Sequence, residues 1–124
     1  MLLWIAVGGA VGTVFRYLLG APVTALAGGR FPLGTLVINV LGSFAIGLFS
    51  RTFLHSQTNP ALRAALMVGL CGGFTTFSTF SLETVGLIDG GLYTRAATYV
   101  LLSVVLSLLA TIAGFAAGKL LAFS

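Results

Sequence analysis

Charge is what this chain has least of. Only 6% of its 124 residues are Asp, Glu, Lys or Arg, against about 25% in an ordinary soluble domain. With 58% hydrophobic residues and a mean hydropathy of +1.14, a water-soluble fold is excluded. The six bases outnumber the two acids, giving a net charge of +4. They are scattered and form no patch that could track phosphates, so no nucleic-acid partner is expected. Cys71 stands alone, which excludes an intramolecular disulfide and a cysteine-based metal cage and leaves the redox compartment open. One histidine and no nucleophile with a base partner leave enzyme chemistry without candidates.

Long apolar runs are abundant. Four stretches, about 2–19, 33–50, 61–88 and 93–122, are each long enough to cross a bilayer. The first could be mistaken for the apolar core of a signal peptide. No basic segment precedes it and three more spans follow, so it reads as a retained helix. It carries Gly8-x-x-x-Gly12, which permits close helix approach. Arg16, expected near the end of this span, reads either as a base snorkelling to the interface or as an attractor of anions at a vestibule. Gly20 to Pro32 carries turn chemistry and Arg30.

In the second span Thr35, Asn39 and Ser43 recur every four residues and share one helix face, with Gly42 and Gly47 beside them. A mid-span asparagine is costly unless its amide is bonded; it serves either as glue between helices or as a donor to an anion. The loop at 51–59 holds His55, a solvated residue on the simplest reading. Asn59-Pro60 is a helix cap followed by proline at the first helical position. In the fourth span Tyr99, Ser103, Ser107 and Thr111 form a second hydroxyl stripe, and Gly114-x-x-x-Gly118 a second close-packing face. Back-bonding to a carbonyl four residues earlier is the structural alternative for each Ser or Thr.

The third span is the anomaly. Gly72-Gly73-Phe74-Thr75-Thr76 is a poor helix at mid-bilayer depth, because glycine loses much backbone freedom and β-branched threonine crowds the preceding turn. A break frees carbonyls before it and N–H groups after it, and lipid satisfies neither; such breaks persist where protein or an ion site covers them. Phe77 and Phe80 follow at i and i+3, among the hydroxyls of Thr76, Ser78, Thr79 and Ser81. Aromatic packing explains a Phe pair by default, but phenyl edges are electropositive and can also face an anion. Glu83, the single acid inside a span, lies near the tight turn at Asp89-Gly90-Gly91 and reads as a vestibule or packing carboxylate.

Two strings, GGFTTFSTFS at 72–81 and GTLVINVLGS at 34–43, resemble the Fluc (CrcB) family of small fluoride channels, and length, four-span layout and motif order agree along the whole chain. The resemblance implies an all-α membrane protein of four transmembrane helices, the third broken near the midplane, assembled as an antiparallel homodimer in the cell inner membrane. It implies passive, selective export of fluoride through two pores. Phe77 and Phe80 would be pore walls, Asn39 and Tyr99 polar contacts, and Ser103 and Ser107 a polar track; Arg16, Thr35 and Glu83 remain candidates for a vestibule. It also implies a structural Na⁺ held by backbone carbonyls, with the motif falling on Gly72 and Thr75.

The residues lean independently toward dual topology. Four crossings put Arg51, Arg63 and Lys119 on one side and Arg16, Arg30 and Arg95 on the other, and a bias near zero predicts insertion both ways round. A proton-coupled small multidrug exporter is the competing class; it needs a membrane-embedded carboxylate, for which only Glu83 is available. A scaffold subunit without transport is the third.

Overall fold

The computed structural model describes residues 1–53 and 58–122, and it is all-helical over them. His55 lies outside the described residues. Helix α1 (Leu2–Leu26) leads through a short turn to α2 (Leu33–Phe53). α3 (60–74) begins as an α-turn at Pro60–Arg63, widens into a π-helix over Ala64–Cys71 and closes with an α-turn at Gly72–Phe74. After a break come α4 (Phe77–Asp89) and α5 (Tyr93–Ala122). Counting α3 and α4 as one interrupted crossing, four segments are long and apolar enough to span a membrane, so the chain is a multi-pass membrane protein.

α1 continues through Pro22, beyond the span at 2–19 and into the stretch read as a loop. Proline removes a helical hydrogen bond, but here the last turns are held from outside. The Thr24 hydroxyl accepts the Gly34 N–H at 2.9 Å, and a Cβ on Gly34 would run into the Gly20 carbonyl. The same contact satisfies a free donor at the start of α2. α1 stops where Gly28 and Gly29 turn to φ +74° and +73°, a region that L side chains rarely adopt.

Packing is backbone to backbone. A Cβ on Gly8 or Gly12 of α1 would collide with carbonyls of Ala65 and Leu70, and one on Gly69 or Gly73 of α3 would meet carbonyls of Ile5 and Gly9. α2 and α5 meet in the same way through Gly47, Gly114 and Gly118. Both small-xxx-small motifs therefore serve helix approach, the means by which helices associate where lipid removes the hydrophobic drive. Large apolar side chains instead point outward, Leu82 and Leu101 among them, as a lipid-facing surface requires. The apolar interior is small and centres on Leu36, Leu87, Ala96 and Tyr99.

Candidate functional site: a broken helix beside an open groove

The break falls on Thr75 and Thr76, both extended, with φ/ψ of −87°/157° and −154°/125°. Of the residues named for it from the sequence, Gly72 and Gly73 stay helical and the two threonines carry the break. Gly73 is needed for the contact with α1, since a Cβ there would crowd the Gly9 backbone and the Thr13 hydroxyl. The threonines stop the ladder: the Thr75 N–H and hydroxyl both donate to the Cys71 carbonyl, at 3.0 and 2.9 Å. Thr76 then caps α4, its hydroxyl accepting the Thr79 N–H at 3.4 Å.

Asn39 pins this break from α2. Its Nδ2 donates to the Thr76 carbonyl at 3.3 Å, and the Thr76 N–H donates to its Oδ1 at 3.1 Å. One side chain thus satisfies both backbone groups of a residue that has left the helix, which lipid could not do. Gly42, one turn further along α2, makes room: a Cβ there would overlap the Thr75 methyl. The sequence offered glue between helices as one reading of Asn39 without naming Thr76 as its partner, and the link through Gly42 was not anticipated.

Beside the break lies an open groove of about 490 Å³. Asn39, Phe77, Phe80, Ser103 and Ser107, named separately from the sequence, all line it, as do Gly72 and Thr75. Phe77 is 78% exposed in the single protomer, standing into the groove. The Phe80 ring lies 5.5 Å from Phe77 and 5.1 Å from Tyr99, whose ring meets Phe31 edge-on at 5.6 Å. Tyr99 itself is fully buried behind Phe80 and does not line the groove.

The hydroxyl stripe on α5 divides by role. Thr111 is structural, its hydroxyl bonded to the carbonyls of Ser107 at 3.1 Å and Ser43 at 3.2 Å. Among the described residues the buried Ser103 hydroxyl has no hydrogen-bond partner, while the buried Tyr99 hydroxyl makes no bond of standard geometry but interacts with Thr35 and Glu83. Leaving such a group unpaired costs about 1–3 kcal/mol. Tyr99 lies near Thr35 and Glu83, which are joined to each other by the Thr35 hydroxyl donating to Glu83 Oε1 at 2.5 Å.

Arg16 is not brought to the groove. α1 is parallel to α3, with Gly8 at Ala65 and Gly12 at Leu70 and Phe74. Arg16, one turn beyond Gly12, is therefore level with the break. It lies ten residues, about 15 Å at the helical rise, before the end of α1 at Leu26. An anchor at the helix end, as expected for a span closing near residue 19, is not its position. At the opposite end Arg63 donates to the Phe53 carbonyl at 2.7 Å, tying the start of α3 to the end of α2.

A multi-pass helical protein with an interrupted crossing, an aromatic row and an unpartnered buried hydroxyl has the makings of a channel or carrier. The sequence model described as CrcB-like protein, Camphor Resistance (CrcB), matches residues 3–115, and the chain belongs to that family. A Geobacter sulfurreducens relative named fluoride-specific ion channel FluC is 52% identical over 122 residues, spanning 95% of this chain and 96% of that one. Relatives named as fluoride-specific ion channels in Nitrobacter winogradskyi, 52% identical over 114 residues, and Agrobacterium fabrum, 46% over 116, cover 91% and 93% of this chain and 90% and 93% of their own lengths. These relatives are named as channels, not as enzymes.

Proposed function

We propose that this chain is a fluoride channel that lets the ion leave the cell passively, and that it works as an antiparallel homodimer in the inner membrane. The observation that carries the reading is the buried Ser103 hydroxyl, without a hydrogen-bond partner among the described residues, inside a groove that Ser107 and two phenyl rings also line, with the Tyr99 hydroxyl buried behind it. An anion entering a low-dielectric path loses its hydration and must recover it from donors. A fixed cation in direct contact would bind too tightly for release, whereas several neutral donors and the electropositive rims of Phe77 and Phe80 hold it weakly at successive positions. Fluoride, small and a strong acceptor, suits hydroxyl and amide donors better than chloride does. The names of relatives near 50% identity support the same ion.

The groove is open along one side, and a second, inverted copy supplies the missing wall. Two breaks then meet on the two-fold axis near the midplane. Carbonyls at a helix C-terminus are hard oxygen donors at the negative end of a dipole, and the exposed Gly72 leaves its surroundings open, with nothing within 4 Å of where a Cβ would stand. The residues present fit a sodium ion, which the backbone carbonyls of Gly72 and Thr75 would hold. Its positive charge would fasten the two breaks to each other. Asn39, by fixing Thr76, keeps Thr75 in place for this role and aims α4 so that Phe77 and Phe80 face the groove.

The test is efflux from proteoliposomes loaded with fluoride or chloride. Wild-type protein should release fluoride and retain chloride, while Phe80→Ile and Asn39→Asp should lose flux or discrimination. Absence of fluoride release from wild-type vesicles would overturn the reading; unaltered flux and selectivity in both variants would overturn the pore assignment.

A further inference from the structure

A second cavity, of about 210 Å³, lies between the α1–α2 turn and α4, lined by Thr24, Gly29, Arg30, Pro32, Glu83, Gly86 and Leu87. It lies next to the groove in sequence along α4 and is linked to it through α2. On α4 Phe80 lines the groove and Glu83, three residues on, lines the pocket. On α2 Asn39 lines the groove and Thr35, one turn earlier, bonds to Glu83. Between these lining residues stand the Phe80–Tyr99 ring contact and the Thr35–Glu83 hydrogen bond.

Arg30 is exposed at this pocket, and no ion pair joins it to Glu83. An exposed guanidinium beside a carboxylate that it does not pair with acts on the space between them instead. An anion approaching Glu83 would be repelled by its charge, and a cation at the rim of the pocket offsets that repulsion and raises the local anion concentration. We infer that this pocket is the outer mouth of the ion path, and that Arg30 is the residue that collects fluoride there. The inference rests on the fluoride-channel reading and adds to it a residue outside the groove that sets the rate. The sequence had given Arg30 no more than an anchoring role in a turn.

A charge acting through solvent at a mouth has a signature that packing lacks: its effect falls as salt shortens the screening length, from about 30 Å at 0.01 M to about 3 Å at 1 M. Fluoride currents are measured in planar bilayers, with ionic strength set by a bulky organic sulfonate. Arg30→Cys should lower conductance about threefold near 0.01 M and leave it nearly unchanged near 1 M. A cationic methanethiosulfonate should restore the low-salt current and an anionic one should depress it further; Arg30→Lys should conduct like wild type. Wild-type protein, whose one thiol at Cys71 is buried, is the reagent control. Arg95→Cys is the positional control, being at the same membrane side but outside the pocket lining. Equal effects of both reagents at position 30, or an equal response at position 95, would overturn the inference while leaving the channel reading intact. A wild-type protein that passes no fluoride current would overturn the channel reading itself.

Discussion

At the scale of single residues, the polar side chains of the spans fall into two kinds that stability and flux measurements separate. Asn39 and Thr111 are bonded to backbone, whereas the buried hydroxyls of Tyr99 and Ser103 make no hydrogen bond of standard geometry among the described residues. Asn39→Ala would strand both backbone groups of Thr76 and should cost about 1–3 kcal/mol in unfolding free energy, along with flux. Tyr99→Phe keeps the ring contacts with Phe80 and Phe31 and removes a hydroxyl that makes no hydrogen bond of standard geometry. It should change stability by less than about 0.5 kcal/mol, or raise it, while reducing fluoride flux. Ser103→Ala should behave in the same way. Chemical denaturation in detergent beside liposome efflux reads both quantities; a destabilised Tyr99→Phe with normal flux would assign that hydroxyl to the fold.

At the scale of elements, the decisive fit is between α2 and the break. Gly42→Ala puts a methyl where the Thr75 methyl stands and should cost about 1–3 kcal/mol, with flux lost as the break is displaced. Gly86→Ala, facing open space on α4, should be neutral or slightly stabilising by helix propensity. The interrupted third crossing was legible because weak helix formers stand inside a hydrophobic run, and the two polar stripes because four-residue spacing reports them directly. The exact break point was not, because whether Gly73 or Thr75 leaves the helix depends on what α1 and α2 place against each. The length of α1 was hidden for a related reason: Pro22 argues locally for a stop, and only the Thr24–Gly34 bond across to α2 explains why the helix goes on. Asn39 could be read either as glue or as an ion contact. Its bonds to Thr76 make it the former, while its place in the groove lining keeps it beside the proposed path.

At the scale of the whole molecule, the chain has a small apolar interior among its described residues, and its groove and the Phe77 ring lie open. Gly72→Ala meets nothing within the protomer, so it should spare the fold of the chain and weaken the dimer if position 72 faces a second copy, which crosslinking in detergent would register. Topology offers a further prediction. Three added lysines at the C-terminus should bias insertion to one orientation and abolish flux, and co-expression with a copy biased the opposite way should restore it. The central claim is that neutral donors and ring edges, instead of a fixed charge, select fluoride. Its most direct test is the reversal potential of the purified protein in a planar bilayer with equal fluoride and chloride on opposite sides. A potential displaced far toward the fluoride equilibrium is predicted; a value near zero would contradict the account.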